Sequence, residues 1–290
     1  MTVAVIKPSS LQNHAICRLR RQAFRYIESC YLNDGGYCFV RVPPASGLDT
    51  YFALAGLSLI GRQPKNCGST VQFLHAQLIQ DSYDLPGIWM TIEAMREAGC
   101  LTGEARNYGL KVISLQNEEG GFGSIENLYI EVTSELEATY HALLVLQAIG
   151  AEMNRSDLAR FVAGFANTNG SYGRALSPLA TTYYATAIYR LLGIAPENRH
   201  LTAAYLRAQE ADCQERLAAG NSIFIEQAFW LIKALSNLNI KASTTNAWDA
   251  FVRACQRPGG GFARTARIGI PTLEYTFYAL SILKETGVLN

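Results

Sequence analysis

The sequence predicts an all-α fold, a closed (α/α)6 barrel in which six inner helices are ringed by six outer ones. Three observations predict it. First, an aromatic residue opens a hydrophobic segment six times, and ten residues later stands Gly or Asn: Tyr51 and Gly61, Trp89 and Gly99, Tyr140 and Gly150, Tyr183 and Gly193, Phe229 and Asn239, Phe277 and Gly287. Second, four segments share a Gly-aromatic turn: Gly35-Gly36-Tyr37, Gly120-Gly121-Phe122, Gly170-Ser171-Tyr172 and Gly260-Gly261-Phe262. Third, an apolar pair precedes each of the six: Tyr26-Ile27, Phe73-Leu74, Val112-Ile113, Phe161-Val162, Tyr205-Leu206 and Phe251-Val252.

Each element follows from this pattern. Gly and Asn best tolerate the left-handed backbone that ends a helix, so the six spacings mark six helices with matching C-terminal stops. The upstream pair is followed, four residues after its first member, by Cys30, Gln77, Gln116, Phe165, Gln209 or Cys255, the i, i+1, i+4 spacing of a helix burying one face. Inner segments such as Tyr140–Ile149 are apolar nearly all round, as a helix covered on both sides must be. Between Phe73 and Trp89 lie fewer residues than in any other hairpin, so the second connection is short and has no Gly-aromatic turn. The terminal repeats are as regular as the middle ones. That favours closure, since an open array needs polar caps. The chain 1–290 reads as a single domain with repeats at approximately 18–61, 68–99, 105–150, 155–193, 200–239 and 245–287. No strand of weight is expected.

Composition bounds the function. Of 290 residues, 49% are hydrophobic, enough for a sizeable core. Lys+Arg 25 against Asp+Glu 24 gives no reason to expect nucleic acid or an anionic membrane surface as partner. The seven cysteines stand singly with no CxxC, which reads as reduced, mostly buried thiols in a cytoplasmic protein. Met1 to His14 lacks the apolar stretch of a signal peptide. No apolar run approaches the ~20 residues of a transmembrane segment.

The turn, a loop, and then Thr-Tyr or Thr-Phe opening the next helix are clearest in Asn117–Gly150, Gly259–Gly287 and Asp34–Gly61. This motif resembles the repeat of protein prenyltransferase β-subunits and of squalene–hopene cyclases and related terpene cyclases. The resemblance runs from about Arg18 to the end. It implies an α/α barrel whose site opens at the inner-helix N-termini. The family's signatures are missing. Its zinc would be held by Asp and Cys opening the fifth inner helix and His opening the sixth. Here the fifth runs Phe224 to Trp230, Tyr275 takes the His position, and Glu226 is the only plausible ligand left. No metal and no cofactor are therefore expected. The Asp-x-Asp-Asp run of class II cyclases and the Gly-Cys-Gly-Glu-Gln run of thioester barrels are absent as well. Because prenyltransferase β-subunits wrap a second subunit, a protein partner or homo-oligomer stays open.

Six converging helix N-termini offer free N–H groups and partial positive charge. Three residues before the inner aromatics stand Glu137, Glu226 and Glu274, with Asp49 one position off. Carboxyls at a dry mouth are candidate general acids and bases. Their plainer reading is helix capping. His141, one past Tyr140, is a further candidate base. At the same repeat position Tyr184, Trp230 and Tyr278, with Tyr275 nearby, could shape a ligand or stabilise a cation over their rings; ordinary core packing is the plainer alternative. Arg174 and Arg264 follow turns and could hold an anionic group, or be solvated loop residues. The expectation is a metal-independent acid/base cyclase or isomerase acting on a hydrophobic, isoprenoid-type molecule. The alternative is a non-catalytic barrel holding a lipid-like ligand or a partner protein. A glycoside-cleaving barrel would need two carboxylates ~5–9.5 Å apart, and the Gly-aromatic repeat argues against it.

Overall fold

A computed structural model describes residues 8–81, 85–122, 135–174, 178–243 and 245–289. Twelve α-helices alternate between two layers among these residues. The outer layer is α1 (Pro8–Ser29), α3 (Cys67–Asp81), α5 (Gly103–Leu110), α7 (Arg155–Ala163), α9 (Arg199–Ala218) and α11 (Thr245–Cys255). The inner layer is α2 (Gly47–Leu59), α4 (Leu85–Glu97), α6 (Glu135–Ala148), α8 (Pro178–Leu192), α10 (Ile225–Asn237) and α12 (Leu273–Glu285). Each inner helix packs on the next, and α12 packs on α2, so the ring is closed.

The helix stops form as the spacing requires. Gly61, Gly99, Gly150, Gly193, Asn239 and Gly287 all have positive φ. Beyond each, the next N–H reaches back to the last turn, as Arg62 to the Leu57 carbonyl at 2.9 Å and Val288 to the Leu283 carbonyl at 2.9 Å. This satisfies carbonyls that the helix end would leave unpaired.

The Gly-aromatic turns join neighbouring hairpins. Gly260 has φ +96°, and a Cβ there would stand 2.1 Å from the Gln22 carbonyl oxygen of α1. One at Gly261 would meet the Tyr26 ring at 2.6 Å. The sixth turn thus rests on the first outer helix, just as Gly36 rests on Phe73 of α3 and Gly121 on Phe161 of α7. Each turn aromatic donates its backbone N–H to the threonine that precedes an inner aromatic: Tyr37 to Thr50, Phe122 to Thr139, Tyr172 to Thr182 and Phe262 to Thr276, at 2.9–3.1 Å. All four threonines are fully buried.

Two details differ from expectation. The first and sixth turns carry short antiparallel ladders, β1 (Tyr37–Cys38) with β2 (Ala45–Ser46), and β3 (Phe262–Ala263) with β4 (Pro271–Thr272). In the third repeat α5 ends early, and Val112-Ile113 falls on a 3-10 helix, Lys111–Leu115. That tighter winding keeps Val112 buried but leaves Ile113 46% exposed, so the pair buries one residue instead of two. Of the seven cysteines, Cys30, Cys38, Cys213 and Cys255 are buried, Cys100 is half-buried, and Cys17 and Cys67 are exposed. Among the described residues no helix is long and apolar enough to cross a membrane.

Candidate active site

The six residues that open the inner segments point at the barrel axis and touch one another. Ring centroids are 5.1 Å apart for Tyr51 and Trp89, 6.1 Å for Tyr51 and Phe277, 5.8 Å for Phe277 and Phe229, 5.4 Å for Phe229 and Tyr183, and 5.8 Å for Tyr183 and Tyr140. His141 fills in beside Tyr140, stacked on Trp89 at 3.7 Å. The result is an aromatic collar, and a cavity of about 390 Å3 runs along it. That size suits a small organic ligand. Among the described residues the charged lining is Glu137, Glu274 and Lys233.

Two carboxyls are held alike. The Tyr184 hydroxyl donates to Glu137 at 2.7 Å, and the Tyr278 hydroxyl donates to Glu274 at 2.9 Å. Burial pushes both phenols well above their usual range, so they act as neutral donors. Burial also raises the Glu274 carboxyl. The Tyr278 hydrogen bond opposes this, while the carboxylates of Glu226 and Asp49 add to it. His141 is half-buried in the cavity lining, and desolvation lowers its pKa to about 3. The imidazole is therefore neutral near pH 7 and a poor base.

Glu226 holds the same repeat position as Glu274 but has another fate. Its Oε1 accepts from Arg264 Nε at 2.6 Å, and the guanidinium lies 4.1 Å from the Phe224 ring centroid. The pair lies outside the cavity lining. Its hydrogen bond to Glu226 holds Arg264 more firmly protonated. Tyr275 lies within electrostatic reach of both and has its phenol raised, by burial first and by Glu226 second. A zinc ion does not fit this donor set: the carboxylate is already bound to a guanidinium, and a raised phenol replaces the imidazole. Among the described residues no three His, Cys, Asp or Glu side chains converge as metal ligands.

The remaining candidates are scattered. Asp49 lies in the first turn of α2, whose cap is Ser46: the Ser46 hydroxyl donates to the Asp49 carboxylate at 2.6 Å, and the Asp49 N–H donates to Ser46 Oγ at 3.0 Å. Arg174 is exposed and lies over Phe165, away from the cavity. Trp230 lines the cavity. Sequence reasoning missed Lys233 and Glu93. Each lies four residues beyond an inner aromatic, hence one helical turn further along the same face. Lys233 pairs with Glu285 at 2.7 Å. Glu93, 1% exposed, pairs with Arg96 at 3.0 Å.

A comparison with curated proteins finds no match. Among solved structures, a chain of Candida albicans protein geranylgeranyltransferase-I complexed with GGPP superposes with TM-score 0.70 at 17% identity, covering 92% of this chain and 91% of the other. A type II terpene cyclase from Scytonema, in complex with geranylgeranyl dihydroxybenzoate, gives TM-score 0.63 at 11% identity over 96% and 99% of the two chains. A protein from Actinoplanes gives 0.57 at 12% identity over 93% and 99%. At such identities the likeness is one of fold. The family model for the prenyltransferase alpha-alpha toroid domain matches residues 2–87, 90–212 and 198–288, together nearly the whole chain. Closed ring, repeated turn and sequence match agree, and the chain belongs to the prenyltransferase α-α toroid family.

Proposed function

We propose that this chain is a metal-independent acid/base enzyme that cyclises or isomerises an isoprenoid-type molecule in its axial cavity. The observation that carries the reading is the pair of tyrosine-held carboxyls, Glu274 with Tyr278 and Glu137 with Tyr184, on the wall of an aromatic-lined cavity. The ligands named for the two structural neighbours, GGPP and geranylgeranyl dihydroxybenzoate, support the substrate class.

In this reading the Glu274 carboxyl, its pKa raised by burial, gives a proton to an alkene carbon. The π bond supplies the electron pair, and a carbocation forms one carbon away. The Tyr278 hydroxyl then stabilises the carboxylate left behind. The cation sits among the faces of Trp89, Phe229 and Tyr184, whose π-electrons attract positive charge. A neutral His141 adds no repulsion. Glu137 takes up a proton from a carbon beside the final cation and restores an alkene, so the product is an isomer of the substrate. Glu226, bound to Arg264, is a structural ion pair at the mouth.

The test is to incubate the protein with C15 and C20 isoprenoids and to look by gas chromatography and mass spectrometry for products of unchanged mass. Glu274→Gln is expected to lower turnover by ~10²–10⁴ while leaving the melting temperature within a few degrees. Because the protonated form is the active one, the wild-type rate should fall as pH rises through the elevated Glu274 pKa. Saturable ligand binding with no product would replace this reading with the binder. Full activity in a Glu274→Gln, Glu137→Gln double variant would remove the carboxyls from the mechanism.

A further inference from the structure

A second cavity, about 490 Å3, opens among α2, α3 and α4. Its origin is visible in the repeat pattern. Where four hairpins set a Gly-aromatic turn between outer and inner helix, α3 ends at Asp81 and α4 already begins at Leu85, which leaves no length for one. The notch adjoins the axial cavity, since Leu48 lines both.

The lining of this side cavity mixes apolar and polar groups and, among the described residues, is nearly uncharged. Ser46, Gln77, Gln80 and Thr91 contribute amides and hydroxyls. Asp34 is the ionisable member among the described residues, and its carboxylate accepts the Gly36 N–H at 3.0 Å. Thr91 is 1% exposed, yet its hydroxyl has no hydrogen-bond partner. Leaving a buried hydroxyl unpaired is costly, so such an atom points to a ligand. A Cβ placed on Gly47 would stand 3.7 Å from Gln77 Oε1 and equally 3.7 Å from Thr91 Oγ1. An amide acceptor and a free hydroxyl therefore both lie beside the side of Gly47 that carries no side chain.

The group that complements this pair donates to one atom and accepts from the other, which is what an alcohol hydroxyl does. A diphosphate does not fit. It needs arginines, lysines or a metal ion around it, whereas among the described residues the charged group in the lining is the carboxylate of Asp34. We infer that the side cavity is the head-group subsite for an uncharged isoprenoid alcohol. Its hydroxyl donates to Gln77 Oε1 and accepts from Thr91, and its chain runs past Leu48 into the axial cavity. This inference rests on the isoprenoid reading above and adds the chemistry of the head.

The test is to titrate the full chain, followed by tryptophan fluorescence, with three probes of equal chain length: geranylgeraniol, geranylgeranyl diphosphate and the saturated C20 hydrocarbon phytane. Geranylgeraniol should bind roughly tenfold more tightly than either of the others. Thr91→Val, which keeps the shape, should weaken geranylgeraniol about 5–10-fold and leave phytane unchanged. Gly47→Ala sits at the start of α2 with no conformational penalty, and its methyl group should fill the point between Gln77 and Thr91 with the same selective loss. Tighter binding of the diphosphate, or an unchanged alcohol-to-hydrocarbon ratio in both variants, would overturn the head-group assignment and leave the isoprenoid reading standing. Failure of all three probes to bind would overturn both.

Discussion

Four repeats carry the Gly-aromatic turn, and the second and fifth do not. In the four, a buried threonine receives the turn N–H. In the other two, Ile88 and Ala228 stand at the threonine position. One helical turn beyond the inner aromatic, the four carry Ala55, Leu144, Ala187 and Ser281, whereas the other two carry Glu93 and Lys233. The turnless second repeat also borders the side cavity. The turnless fifth supplies Glu226, which reaches Arg264 of the sixth. Regular repeats join their hairpins through a buried threonine, and the third and sixth also supply Glu137 and Glu274 to the cavity. Where the joint is missing, charged side chains take its place, and each is held by an ion pair: Glu93 with Arg96, Lys233 with Glu285 and Glu226 with Arg264.

The difference can be broken at the closing joint. Gly260→Ala adds both a left-handed penalty and a contact 2.1 Å from a carbonyl of α1. It should cost about 3 kcal/mol or more and loosen the seam between the sixth and first repeats, read as a lower denaturant midpoint. Thr276→Val removes the acceptor of the Phe262 N–H. It should cost ~1–3 kcal/mol, because a buried N–H is left unpaired. A loss near zero in that variant would mean the turns contribute little to the ring. Gly99→Ala sharpens the contrast. Its φ of +67° is positive like the +96° of Gly260, but nothing lies within 4 Å of the added Cβ, so it should cost only ~1 kcal/mol.

The smallest effect at neutral pH concerns His141. Its pKa falls from 6.5 to about 3, so the unfolded chain takes up a proton that the folded one refuses. The stability this represents is complete above pH 6.5 and is lost as pH falls toward 3. His141→Phe keeps the stack on Trp89 and should flatten the acid limb of the melting-temperature profile. Parallel profiles for the two proteins would show that the imidazole is protonated in the fold.

Much of the fold was legible because its determinants are local. The hairpin count, the six inner aromatics and the six left-handed stops follow from spacing and from the special backbone of Gly and Asn. Val112-Ile113 was misjudged because α-helical and 3-10 windings share the same apolar pair and differ only in how the next turn packs. The candidate site was legible in part. The position three before the inner aromatic marked the mouth, but it could not separate Glu274 from Glu226. Arg264, which makes the difference, lies 38 residues away in sequence.

By itself the sequence determined the periodic scaffold, since helix ends, buried faces and turn chemistry depend on residues a few positions apart. Only the tertiary structure decided the pairing of Glu137 with Tyr184, the stacking of His141 on Trp89 and the unpaired hydroxyl of Thr91. Each of these depends on distances between helices and on exclusion from water. A one-dimensional pattern does not encode such quantities, because burial and charge are set by whatever the neighbouring helix brings.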